Sequence, residues 1–284
     1  PAQFELLHPT VAHLDVNTFL ETRKTLSISL KDMRAQLLVA LEPYEEQRYG
    51  IYIEDLTTGA WLGINERETF VPASLVKLPV VIAVFKQIEL GQLQLETELH
   101  VIEDDIDTDF GPSALIAGDD VTILNLVKLT LHESDNTAAN VLLRQLTQAQ
   151  VDEAFVGVGL PLSHDGSITN AVSAKDYTNI MRSLYVSSYL RRQFSQLMLS
   201  NMVDGSFNGA ITAGLPSDVK FAHKFGVNTP VQTLLDCGIA YLPGKPYAIC
   251  IMSQDAASAK EASMMMKDVS EVTYTYFAAK LASS

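Results

Sequence analysis

The hydrophobic period changes twice along this chain, and that limits the folds open to it. "RYGIYIEDLTTGAWLGINE" alternates on both sides of Thr57, Thr58 and Gly59, as a β-hairpin does. "SLVKLPVVIAVFKQIELGQL" follows, more apolar all round than a surface helix, so a central buried helix is predicted. Pro79 fits only in that helix's first turns, where few amide hydrogens have intrahelical partners. Residues 121 to 220 then read almost wholly helical, in "VTILNLVKLTLHES", "TAANVLLRQLTQAQVDEAF", "SAKDYTNIMRSLYVSS" and "YLRRQFSQLMLSNM". The period returns to two in "DVKFAHKFGV", "TLLDCGIAYL" and "YAICIMSQ". "SAKEASMMMKDVSEVTYTYFAAKL" closes the chain as a helix, with Met264, Met265 and Met266 as core filler.

Strands at both ends with helices between predict an α/β protein of the α+β type: one antiparallel sheet assembled from both termini, with an all-helical lobe inserted. Residues 1–34 read as an N-terminal arm, although "MRAQLLVALEPY" from Met33 has helical spacing. Residues 35–284 form the main domain. Its α/β lobe takes about 35–72 and 218–284, and its helical lobe about 73–217. A cleft is expected between the lobes, with the buried helix crossing it.

The 284 residues are 47% hydrophobic and 19% charged, enough for a sizeable core and against disorder. A formal net charge of −14 disfavours nucleic acid and anionic membrane surfaces as partners. The acidic run "EDDIDTD", Glu103 to Asp109, reads as a solvated loop. No uncharged apolar stretch reaches the roughly eighteen residues of a membrane span. The chain begins "PAQFELLHPT" without an initiator Met, which reads as a trimmed or processed N-terminus. Cys237 and Cys250 are expected as two small buried apolar residues, on strands close enough to bring them together. The six His residues are scattered, with no His-x-x-x-His and no Cys-x-x-Cys, so neither metal nor cofactor is expected.

Three short strings carry chemistry. Ser74 and Lys77 form Ser-x-x-Lys at the start of the buried helix. That pattern alone also describes an ordinary helix cap, and it recurs at Ser217 and Lys220 in "LPSDVKF", a loop entering a strand. Ser134-Asp135-Asn136 lies between two helical segments and, alone, is a common loop and cap string. Lys224-Phe225-Gly226 lies on a strand. The ordered trio is specific, with 60 residues from Ser74 to Ser134 and 90 from Ser134 to Lys224. In this trio the chain resembles the serine β-lactamase and D,D-peptidase superfamily, most closely its class A branch. "SDNTAANVLL", "VSAKDYTNIM" and "FAHKFGV" are similar to class A segments, and the resemblance covers roughly residues 35–284.

The resemblance implies a class A β-lactamase-like fold and a set of roles. Ser74 is implied as the nucleophile, Lys77 as its base one helical turn on, and Ser134 as the proton relay to the leaving nitrogen. Lys224 is implied as a second cation lowering the Lys77 pKa. Asn136 is implied to bind a substrate amide, and the Ser74 and Val227 backbone amides to form the oxyanion hole. Phe225, Gly226 and Phe110 join Asn136 and Val227 as substrate-binding candidates.

Two departures from the family matter. Class A enzymes carry an Ω-loop Glu that activates the deacylating water. Here "VGLPLSHDGSITNAVSAKD" takes that place and is shorter by roughly a dozen residues, with no Glu between Glu153 and Glu261. His164 and Asp165 are its only titratable side chains before Lys175, and "SHDG" reads as a polar turn. Phe225 stands where a Thr or Ser usually holds a substrate carboxylate. It either walls the cleft or is turned away by the strand register. "VQTLLDCGIA" offers no Arg to back a carboxylate, and Asp236 is expected nearby, repelling an anion. The leading expectation is a serine acyl-enzyme hydrolase, penicillin-binding and D,D-peptidase-like, turning β-lactams over slowly. The alternatives are an active β-lactamase with another base, such as Asp165, and a non-catalytic binding or sensor protein. Expected partners are a β-lactam or peptidoglycan-like peptide for a monomer without a transmembrane segment, working by family analogy in the periplasm or outside the cell.

Overall fold

A computed structural model describes residues 30–108, 111, 113–160, 162, 171–203, 205–229 and 232–282. Phe110, His164 and Asp165 lie outside the described residues, as does most of the segment expected as an arm. Helix α1 spans residues 30–41, starting three residues before the predicted spacing at Met33. The hairpin follows as β1 (Arg48–Asp55) and β2 (Trp61–Ile64), then the short β3 (Thr69–Phe70). A 3₁₀ turn, Ala73–Val76, leads into α2 (Lys77–Glu89), where Pro79 occupies the first turn as predicted.

The middle of the chain holds β4 (Glu98–His100), β5 (Asp120–Thr122), α3 (Ile123–Lys128), α4 (Asn136–Leu143), α5 (Gln148–Gly157), β6 (Val172–Ser173), α6 (Ala174–Val186) and α7 (Arg192–Val203). The predicted run "TAANVLLRQLTQAQVDEAF" is broken here: α4 ends near Arg144, and Thr147 caps a new helix by accepting from the Gln150 amide. The small ladders β3–β6 and β4–β5 were not predicted, because two or three residues cannot display a period. The acidic run is not all solvated. Asp105 is buried, and Arg144 donates to both its carboxylate oxygens at 3.0 Å.

The three predicted strands are β7 (Phe221–Asn228), β8 (Thr233–Ala240) and β9 (Tyr247–Gln254), and α8 (Ala259–Ala282) ends the chain. The five-stranded antiparallel sheet runs β2-β1-β9-β8-β7. Its two termini meet where β1 pairs with β9, so both ends of the sequence build one sheet. The sheet is buried on both faces, and alternate residues choose sides. Ile51, Ile53, Ile249 and Ile251 pack with Met33, Met265 and Phe277 of the flanking helices α1 and α8. Tyr52, Leu235 and Met252 pack with the inserted helices around α2. Helix α2 is buried from Lys77 to Phe85, as its uniform apolarity predicts. Met265 and Met266 are fully buried, but Met264 is 48% exposed, because three consecutive helical residues cannot share one face.

Cys237 and Cys250 are joined as a disulfide, which corrects the expectation of two separate thiols. The β8–β9 register sets them directly opposite, on the face toward the inserted helices. Among the described residues, no helix is long and apolar enough to cross a membrane.

Candidate active site

Three elements bring the motif residues together. The turn Ala73–Val76 is fixed from behind by the buried Tyr177 hydroxyl, which donates to the Leu75 carbonyl at 3.0 Å. Ala73 sits at φ 46°, a left-handed conformation that a residue with a Cβ adopts only under constraint. The strained residue directly precedes Ser74. A π-helical turn, Leu129–Glu133, ends in Ser134 at φ 59° and reverses the chain into α4. Asp135 then caps α4, its carboxylate accepting from the Ala138 amide at 2.8 Å and from the Ser113 hydroxyl at 2.8 Å. The Ser-Asp-Asn string is thus a helix cap and a site element at once: Asp135 faces the helix, while Ser134 and Asn136 face Lys77.

The third element is β7, the edge strand beside the turn. A Cβ on Gly226 would lie 3.1 Å from the Pro72 oxygen and 3.3 Å from the Ser74 amide nitrogen. Glycine is needed there because the strand backbone runs against the turn that carries Ser74.

The amine of Lys77 is the hub. Its Nζ lies 3.2 Å from Ser74 Oγ and 3.2 Å from Ser134 Oγ, and it also contacts the Ser134 carbonyl and Asn136 Oδ1. An ammonium has three hydrogens, fewer than these four acceptors. A neutral amine keeps two hydrogens for the Ser134 carbonyl and Asn136 Oδ1 and has one lone pair to receive the proton of one hydroxyl at a time. Burial pushes the Lys77 pKa down to about 8, against the opposing pull of Asp135 and Asp107. Lys224 is fully buried and donates to Ser134 Oγ at 2.8 Å and to the Phe225 carbonyl at 3.2 Å. Burial, and next the neighbouring Lys77 charge, hold its pKa well below the ordinary lysine value, with Asp236 opposing. Two amines and two hydroxyls therefore form one chain: Ser74, Lys77, Ser134, Lys224.

A cavity of about 270 Å³ holds Ser74 and Lys77, with Asn136, Asn140, Leu143, Val227 and Asp107 in its lining. Asp107 is its only lining carboxylate among the described residues. Nothing in the sequence singled it out, because the loop that carries it reads as solvated and reaches the cleft only through tertiary contact.

Phe225 resolves into neither simple alternative. The pleat sends its side chain to the α8 face, opposite Lys224. Yet the Lys224 Nζ lies 4.5 Å from its ring centroid, so the ring still borders the site. Phe207 stacks on it at 4.3 Å with 22° between planes. Asp236 does not face the cleft, contrary to expectation. It is fully buried on the α8 face, where it hydrogen-bonds His223 Nδ1 at 2.7 Å and accepts from the Ile211 amide at 3.3 Å. Ser217 and Lys220 lie apart from this cluster, in the turn before β7.

The model of a family described as the β-lactamase enzyme family matches residues 31–277. A β-lactamase from Streptomyces fradiae is 27% identical over 230 residues, which cover 74% of each chain. β-Lactamase L2 from Stenotrophomonas maltophilia is 32% identical over 103 residues, 36% of this chain and 34% of that one. Among solved structures, PBP-A superposes with a TM-score of 0.78 at 23% identity, covering 88% of this chain and 97% of its own. An ancestral class A β-lactamase superposes with a TM-score of 0.75 at 22% identity, covering 84% and 98%. The fold is therefore class A β-lactamase-like.

Proposed function

The chain belongs to the β-lactamase enzyme family, as a serine hydrolase of the β-lactamase and D,D-peptidase type, and from that premise we propose a penicillin-binding, D,D-peptidase-like activity with slow turnover. The observation that carries it is Lys77: a buried amine with a pKa near 8, in contact with both Ser74 and Ser134. Neutral Lys77 takes the proton of Ser74 as Oγ bonds to the acyl carbon. The oxyanion that forms is held by the Ser74 and Val227 amides. The C–N bond breaks as the tetrahedral intermediate collapses. The departing nitrogen receives the proton from Lys77 through the Ser134 hydroxyl, with Lys224 beside it to polarise that relay. Asn136 binds the amide on the acyl side.

Deacylation is the slow step in this reading. It needs a general base for water, and the family's Ω-loop Glu has no counterpart between Glu153 and Glu261. One observation favours faster β-lactam turnover as a second reading: the Asp107 carboxylate lines the Ser74 cavity. The solved structures similar to this chain include a PBP-A mutant as an acyl-enzyme complex with penicillin G, which supports penicillin as the probe. The disulfide supports an oxidising compartment, so we place the enzyme in the periplasm or outside the cell.

The test is fluorescent penicillin labelling followed by peptide mass mapping. A lasting adduct on Ser74 is expected. An adduct on Ser134 or Ser217 with Ser74 unmodified contradicts the assignment. No adduct on any serine indicates a binding protein on the same fold.

A further inference from the structure

Residues 105–107 are anchored to α4 at three points. The Thr137 hydroxyl accepts from the Asp107 amide at 3.0 Å, Asn140 Nδ2 donates to the Asp105 carbonyl at 3.1 Å, and Arg144 pairs with the buried Asp105 carboxylate at 3.0 Å. Thr137, Asn140 and Arg144 are spaced three and four apart, so one face of the helix carries all three. These ties hold Asp107 in the lining of the Ser74 cavity, beside Asn136 and the apolar Val80, Ala139 and Leu143.

The charge in this cavity is one-sided. Acylation proceeds from the form with Lys77 neutral, and Asp107 is then the only charged side chain in the described lining. Its carboxylate lies near enough to Lys77 to oppose that amine's loss of a proton. A neighbouring cavity of about 450 Å³ also has Asp107 and Asn136 in its lining, and its described residues add Glu133 and Asp135 but no Lys, Arg or His. An anion brought here would meet like charge. An ammonium would meet Asp107 and, by offsetting that carboxylate, would ease the deprotonation of Lys77. Asn136 is assigned to the acyl-side amide and lines the same cavity, so the group that meets Asp107 belongs to the acyl half.

We propose that Asp107 determines specificity on the acyl side, so that the enzyme's substrates are amides whose acyl half carries an ammonium group on an apolar stem. This rests on the acyl-enzyme reading above. Val80, Ala139 and Leu143 take the stem, Asn136 takes the amide, and Asp107 pairs with the ammonium. Asp107 acts in recognition here and takes no part in proton transfer.

Three penicillins test it. Penicillin G, ampicillin and carbenicillin share one phenylacetyl acyl half and bear at its α carbon a hydrogen, an ammonium and a carboxylate. The measurement is the rate of Ser74 acylation, read by mass and corrected for each compound's reactivity toward hydroxide. It is made at about pH 6.5, below the ordinary α-amino pKa of about 7.7–8.0. Ampicillin is expected to react roughly three- to tenfold faster than penicillin G, and carbenicillin slower by a similar factor. Asp107→Asn should bring the three rates together, and Asp107→Lys should reverse their order. Ratios taken on one sample do not depend on how much of a variant is folded. Penicillin G reacting as fast as ampicillin overturns the proposal, as does an order that survives Asp107→Asn. If no penicillin acylates Ser74, the acyl-enzyme reading fails, and binding of phenylglycinamide, followed by amide shifts at Asn136 and Asn140, decides the subsite. Shifts that are absent with phenylacetamide and lost in Asp107→Asn support the assignment; no shifts with phenylglycinamide, or the same shifts with phenylacetamide or in Asp107→Asn, overturn it.

Discussion

Lys77 carries two loads that are usually in conflict. It must be buried to lose its proton near neutrality, yet it must stay within reach of two hydroxyls. The turn at Ala73–Val76 meets both demands by exposing Ser74 while α2 sinks Lys77 into the core. If neutral Lys77 is the base, the acylation rate rises as pH rises through about 8 and levels above it. Measuring acylation between pH 6 and 10 gives that midpoint. Lys77→Ala should cost ~10²–10⁴-fold in acylation, and an unchanged pH profile in that variant would remove Lys77 from the role. Phe225→Thr probes the opposite side of the site. It replaces a ring that borders the site with a short hydroxyl on the α8 face, so ligands bearing a carboxylate should gain less than the ~1.5–3 kcal/mol of a full hydrogen bond to a charged group, under roughly tenfold. Deacylation should not change, so acylation and deacylation rate constants are measured separately. Ser74, Lys77, Ser134, Asn136 and Lys224 were legible as an ordered trio. Phe207 and Asp107 were not, since each reaches the site from a segment with no motif of its own.

At the scale of elements, long periods were readable and short contacts were not. The hairpin, α2, the three C-terminal strands and α8 emerged from twelve or more residues of consistent pattern or from clean alternation. The ladders β3–β6 and β4–β5 were too short to display one. The disulfide depends on register, which is fixed by the pairing of whole strands and is invisible in either Cys alone. Cys237 also faces Lys224 across the β7–β8 ladder, so the bridge flanks the strand that carries the site. Cys237→Ala should lower stability by roughly 2–4 kcal/mol, read as a reduced denaturant midpoint. A thiol titration of the unfolded native protein should find no free thiol. Two free thiols would refute the pairing.

The whole molecule separates recognition from turnover. Both chain ends build a sheet clamped between α1 and α8 on one face and the inserted helices on the other. The edge strand β7 carries Lys224 into the cleft and Phe225 to the opposite face against Phe207, and Gly226 lets the strand pass close to the turn that carries Ser74. The residues proposed for acylation span both parts of the fold, whereas no Glu lies between Glu153 and Glu261 to serve as the proposed deacylating base. The proposed enzyme acylates readily and releases slowly. Rapid-quench mass spectrometry with penicillin G measures both rate constants on one sample. Stoichiometric acyl-enzyme at Ser74 that persists long after free penicillin is removed is the expected result. Acyl-enzyme that never accumulates while penicillin is steadily hydrolysed would contradict it.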